Sequence, residues 1–269
     1  MNVKRQMPKT YPLENSTYTV CSAIGKGLWA TGSEIYAGAA CALLLPWTFT
    51  NTYHQPSSDQ IDGTPILLLN GYGGFGSIWD YQKKSINKER LGPVYTMNVQ
   101  SLVSIKTNAK QVQKVVEKIQ RETGSKDLIL IGHSKGGLVA TYYATVLASR
   151  SQANIEKVIT IGSPFRGSPL AHLAIGKDAA EMRPGSDLLK ELQERVQTST
   201  RPIFFHIGST MDLVAPASSA LLGNDSENEL CIDYTGHGGL LFDQMVTDKV
   251  IEWIKKPKNI EMQTVCLDR

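Results

Sequence analysis

The sequence predicts an α/β fold: a mostly parallel central sheet with helices on both faces. Three observations carry this expectation. Short continuous apolar blocks bounded by turn residues recur along the chain, as strands buried on both faces require. Helical patterns lie between several of them, and strand–helix–strand alternation makes a sheet parallel and right-handedly wound. The 269 residues, 41% hydrophobic and 20% charged, suffice for one large core in a single main domain.

Residues 1–61 form an N-terminal accessory segment. Lys4 and Arg5 are followed by a polar stretch, Met7 to Tyr18, that carries Pro8, Pro12, Glu14 and Asn15 where a signal peptide has its apolar region. No standard signal peptide is expected, and the location implied is cytoplasmic or membrane-associated. The most apolar run, Ile35 to Phe49, contains Pro46 and is shorter than the roughly 20 residues that cross a bilayer. Two readings of it stand. It packs as a helix on the domain or its ligand tunnel, the usual fate of short apolar runs, or it anchors the chain at a membrane surface through Trp47 and Phe49.

The main domain is expected to run from 62 to 269. Its first strand is Pro65 to Leu69, after a loop rich in turn residues. Further strands follow at Val94–Asn98, Leu128–Ile131, Val158–Ile161, Ile203–Ile207 and Glu229–Asp233. Thr107 to Thr123 is an amphipathic helix with Val112, Val115, Val116 and Ile119 on one face and Gln111, Lys114, Lys118 and Arg121 on the other. Gly137 to Ser149 is apolar or small nearly throughout, which suits a helix buried against the sheet. Pro169 to Thr200 is expected to form two or three short helices, Asp187 to Val196 the clearest, as a lid over the carboxyl ends of the strands. An amphipathic helix from Leu240 to Lys256 closes the domain.

A formal charge of +3 with scattered Lys and Arg gives no basic patch, so no nucleic-acid partner is expected. Cys21, Cys41, Cys231 and Cys266 are too widely spaced for a zinc site or a dense disulfide framework, and reduced thiols are the default. No metal or organic cofactor is implied.

The sharpest local signal is Gly132-His-Ser-Lys-Gly136, a G-x-S-x-G between a strand and a helix. In that context the serine stands on a sharp turn with strained backbone angles, and the flanking glycines avoid collisions with strand and helix. A serine hydroxyl needs a base, and the base needs a carboxylate to hold its tautomer. Of five histidines, His133 lies within the turn, His54 precedes the sheet, His172 falls in the lid and His206 in a strand. His237, in the glycine-rich loop after the last strand, is the expected base. Asp212, on the loop after the preceding strand, is the expected acid, with Asp225 and Asp233 as alternatives. An oxyanion would be met by the backbone amides of Lys135, directly after the serine, and of Tyr72, in the glycine-rich loop Asn70 to Gly76.

These motifs resemble the bacterial lipases and the related GPI inositol-deacylase-like serine hydrolases of the α/β-hydrolase superfamily. The resemblance spans about Pro65 to Trp253 and rests on Leu69-Asn-Gly-Tyr-Gly-Gly74, Ile131-Gly-His-Ser-Lys-Gly-Gly137, Ile161-Gly-Ser-Pro-Phe-Arg-Gly-Ser168, Met182-Arg-Pro-Gly-Ser186 and the Asp212 and His237 loops. It departs from those lipases where they usually have His-Gly, here Asn70-Gly71, and where Met or Gln often follows the nucleophile, here Lys135. The Lys135 ammonium is expected to be solvated, the alternative being contact with an anionic substrate group. The resemblance implies hydrolysis of carboxylic esters, lipid esters first, through an acyl-serine intermediate. The rivals are acyl transfer by the same triad and a non-catalytic binding protein on this fold.

Overall fold

The computed structural model describes residues 53–54, 62–72, 76–223 and 226–257. Seven strands form one sheet: β1 (Tyr53–His54), β2 (Ile66–Leu69), β3 (Val94–Met97), β4 (Asp127–His133), β5 (Asn154–Ile161), β6 (Ile203–Ser209) and β7 (Glu229–Ile232). Their spatial order is β1-β3-β2-β4-β5-β6-β7. From β2 to β7 every pairing is parallel, and only β1 runs antiparallel, along β3. His54, expected ahead of the sheet, therefore belongs to its edge strand. The apolar run Ile35 to Phe49 and the alternative acid Asp225 lie outside the described residues.

Alternation along the central strands sorts side chains to two cores. Leu67, Leu69, Leu128 and Leu130 meet one face; Ile66, Leu68, Ile129 and Ile131 meet the other. Both faces of β2 are fully buried, which is why its sequence is a continuous apolar run. On β5 the parity changes. Leu128 pairs with Ile155 and Ile129 with Lys157, so Glu156 is an extra residue at a bulge. That bulge sends Lys157 into the interior, where its ammonium donates to the carbonyl oxygens of Ile254 and Lys256 at 2.6 Å each.

The helices follow the two-sided plan. On the first core lie α2 (Ile105–Thr123) and α3 (Lys135–Tyr142); on the second lie α1 (Asp80–Lys88) and, at the end of the chain, α7 (Gln244–Lys255). Helix α2 starts where the Ser104 hydroxyl accepts from the Thr107 amide and stops at Gly124, whose φ of 70° is the usual left-handed terminus. Helix α3 is shorter than the stretch expected to Ser149; it passes into a π-helical turn over Tyr143–Leu147 and a 3₁₀ turn over Ala148–Ser151. The closing helix is likewise split. Gly239–Phe242 is a 3₁₀ turn, and the Asp243 side chain caps a fresh start by accepting from the Val246 amide. The segment expected as a lid holds a 3₁₀ turn (Pro169–His172), α4 (Lys177–Glu181) and α5 (Asp187–Thr198). Between β6 and β7 lies α6 (Ala217–Ala220). No helix among the described residues is long and apolar enough to cross a membrane.

Candidate active site

At the end of β4 the chain turns into α3 through Ser134, whose φ of 54° and ψ of −126° are strained for any side-chain-bearing residue. The glycines around it are steric necessities. A Cβ at Gly132 would stand 2.4 Å from the Gly137 Cα, one at Gly136 2.2 Å from the Leu69 carbonyl oxygen, and one at Gly71 2.7 Å from the Ser134 Cβ. The Ser134 amide donates to the Ile161 carbonyl at 2.8 Å, tying the turn to β5. Lys135 is the first residue of α3, so its N–H lacks an intrahelical acceptor and points with the positive end of the helix dipole.

Asp212 and His237 meet from the loops after β6 and β7. The imidazole Nδ1 lies 2.7 Å from Asp212 Oδ2. An ionised carboxylate cannot donate, so Nδ1 carries the proton and Nε2 keeps its lone pair. The other carboxylate oxygen, Oδ1, accepts from the amides of Val214 and Ala215 at 2.8 and 2.7 Å. Asp212 is 1% exposed, held with its charge satisfied from both sides. Asp233, the alternative acid, sits exposed just past β7. Gly162 fits beneath the pair, where a side chain would meet Asp212 Oδ2 at 3.2 Å and His237 Nδ1 at 3.3 Å. Because Gly162 directly follows the carbonyl that holds the Ser134 amide, serine, carboxylate and imidazole are gathered at one end of the sheet.

Sequence reasoning missed two partners of this site. His133, set aside as part of the turn, packs its ring 4.6 Å from that of His237 and donates from Nε2 to the His237 carbonyl at 3.1 Å. Complete burial, and then the neighbouring imidazole, push its pKa down to about 3, so it is a neutral donor that positions the other histidine's backbone. The second partner corrects the expectation for Lys135. Its ammonium is fully buried, donating at 2.7 Å to both Asp178 Oδ2 on α4 and the Gln100 carbonyl. Solvent is not its neighbour.

Tyr72, the other expected oxyanion donor, is half-buried and gives its hydroxyl to the Ile175 carbonyl at 3.4 Å. Burial and the Asp178 charge raise its pKa. In the segment Ile161–Ser168 the Arg166 guanidinium donates to the carbonyls of Ser218, Leu221 and Leu222 around α6. Among the described residues no group of three or more His, Cys, Asp or Glu side chains could hold a metal ion.

A strained serine between β4 and α3, with carboxylate and histidine on the loops after β6 and β7, on a sheet of this order, decides the architecture. The chain has the α/β-hydrolase fold. Solved members of this fold superpose closely: a Bacillus licheniformis lipase in mature form gives a TM-score of 0.63 at 14% identity, over 76% of this chain and 98% of the lipase. Aspergillus fumigatus lipase B gives 0.64 at 16% identity, over 77% and 57%. A family described as an alpha/beta hydrolase of unknown function (DUF915) matches residues 76–201, a span that holds Ser134 and ends before Asp212. In sequence the chain is similar to triacylglycerol lipases. That of Vibrio cholerae is 30% identical over 149 residues, 54% of this chain and 43% of the lipase. That of Pseudarthrobacter phenanthrenivorans is 31% identical over 115 residues, 40% and 35%. The matches span less than half the length of these curated relatives.

Proposed function

We propose that this α/β hydrolase cleaves carboxylic esters through an acyl-serine intermediate, with Ser134 as nucleophile, His237 as base and Asp212 as the acid that orients it. One observation carries the reading: a serine held at φ 54° on the turn after β4, at the same end of the sheet as a histidine whose Nδ1 is engaged by a buried carboxylate at 2.7 Å. With Nδ1 so occupied, His237 Nε2 accepts the Ser134 proton as Oγ attacks the ester carbonyl. The tetrahedral oxyanion is met by the amides of Lys135 and Tyr72. The proton passes to the departing alcohol, and water then takes the serine's place as nucleophile, with His237 again as base, to release the acid.

Lipid esters are the favoured substrates. Leu170, Leu173 and Ile175 on the lid, Leu213 beside Asp212, and Phe242 and Met245 after His237 are large apolar side chains left exposed on the segments around the site. The sequence likeness to triacylglycerol lipases supports the same choice. Residues 1–61 as an accessory segment, packed on the domain or in contact with a membrane surface, belong to this reading as well.

The test is hydrolysis of p-nitrophenyl esters of graded acyl length by the full chain and by Ser134→Ala, with a fluorophosphonate label on the serine. Activity that rises with chain length and vanishes in the variant supports a lipase; a short-chain preference makes it an esterase. Acyl transfer to an added alcohol in preference to water would move the assignment to a transferase. A folded wild type that neither turns over nor labels would leave a binding protein.

A further inference from the structure

Resting on that reading, we infer that Lys135 and Asp178 form a positioning pair that sets the oxyanion side of the site and makes the lid's α4 a fixed part of it. Both expected oxyanion amides belong to residues whose side chains meet: the Lys135 ammonium lies 5.4 Å from the centre of the Tyr72 ring. From there the contacts run into the lid. Lys135 Nζ donates to Asp178 Oδ2 and to the Gln100 carbonyl, and Asp178 Oδ2 also accepts from the Leu102 amide at 3.0 Å. Gln100 is itself held on both sides by Asn108, which accepts from its amide and donates to its carbonyl at 3.0 Å each.

The lid segment is bonded to the body at further points. The Lys177 amide donates to the Leu102 carbonyl at 3.2 Å, the Ile105 amide to Glu181 Oε2 at 2.6 Å, and the Tyr72 hydroxyl to the Ile175 carbonyl. Gly176, at φ 111°, touches Leu102 so closely that a Cβ would come within 2.7 Å of its Cα. Residues 175–181 are thus a buttress, while exposed Leu170 and Leu173 lie on the turn before it.

A buried ion pair is a poor means of stabilising a fold, because an apolar pair of the same volume usually does as well or better. What an ion pair fixed at 2.7 Å does supply is direction. Lys135 stands at the residue whose amide meets the oxyanion, and a shift of about 1 Å there is felt mainly in the transition state. Lys135 and Asp178 therefore act through the amide and not on the substrate.

The experiment uses the full chain as wild type, Asp178→Asn, Lys135→Met, the double variant Lys135→Met/Asp178→Asn, and the exposed lid variant Lys190→Met as control. Each is assayed for kcat, KM and Tm on a short soluble p-nitrophenyl ester. The single variants strand a buried polar or charged group; the double removes both charges and recovers a wild-type Tm. The inference expects kcat in the double, as in Asp178→Asn, to stay about ten- to a hundredfold low with KM within about twofold, the signature of an interaction felt only in the transition state. Lys190→Met keeps the wild-type values. A double variant, or a folded Asp178→Asn, with wild-type kcat overturns the pair's positioning role while leaving ester hydrolysis standing. A wild type inactive on every ester overturns the catalytic reading first and this inference with it.

Discussion

Around Ser134 the backbone is held chiefly by close contact, with the Ile161 carbonyl and the Lys135–Asp178 pair beside it, whereas around Asp212 and His237 it is held chiefly by hydrogen bonds. Methyl groups added at Gly132 or Gly136 would come within 2.4 and 2.2 Å of backbone atoms. In the facing loops Asp212 takes two amides and an imidazole, the Ser209 hydroxyl donates to the Thr235 carbonyl, and His133 donates to the His237 carbonyl. The two regions should therefore fail differently. A steric seat tolerates no added volume and loses the fold; a polar network tolerates an isosteric exchange and loses only the chemistry.

The largest expected effect tests whether the two regions serve one reaction. Ser134→Ala should cut kcat by about six orders of magnitude, the size seen when a triad serine is removed, with the fold intact by circular dichroism. Asp212→Asn should follow at about four orders. Its amide oxygen still accepts from Val214 and Ala215, but its amine faces Nδ1 and forces the proton to Nε2. A Tm near wild type beside that loss would sharpen the contrast; a collapsed Tm would break it. Gly136→Ala should do the reverse, losing about 3 kcal/mol or more of stability in urea denaturation because the carbonyls of Leu69 and Asn70 cannot yield.

The smallest effect concerns pH. His133 and His206 are both depressed to about 3, His206 by burial alone and His133 chiefly so. Their unfolded forms titrate near 6.5, so below that pH the unfolded chain binds more protons and stability falls as pH falls. Above it, neither histidine contributes a slope. Each should cost on the order of 1 kcal/mol by pH 6.0 and more below it. Urea midpoints at pH 7.5, 6.0 and 5.0 would show the slope, and His206→Gln should lose one histidine's share of it.

Much of this was legible in the residues. Apolar runs located β2, β3, β4 and β6 to within a residue or two, because strands buried on both faces leave no other pattern; β7, ELCI, was placed as closely although only Ile232 is buried. Strand β5 was seen only from Val158, four residues late: Glu156 and Lys157 broke the run, and only a bulge and two helix-end carbonyls explain a lysine there. Helix α1, DYQKKSINK, escaped because it buries only Gln82 and Ile86. At the site, the motif and its chain order pointed to Ser134, Asp212 and His237, which the fold gathers at one end. The His133–His237 contact and the Lys135–Asp178 pair had no local signature, since their partners lie 104 and 43 residues apart in the chain.

That last separation has a bearing on the order of assembly. Strand β4, the serine turn and α3 are complete in the growing chain well before Asp178 is made, and until then the ammonium at 135 gains nothing by leaving water. Closing so long a loop costs entropy that is recovered only once the contact forms. The wall beside Ser134 is thus finished late, when residues 175–181 dock. On refolding from urea, the far-ultraviolet signal of the sheet and helices should return before esterase activity does, with the delay shortened in the double variant that has no charge to bury.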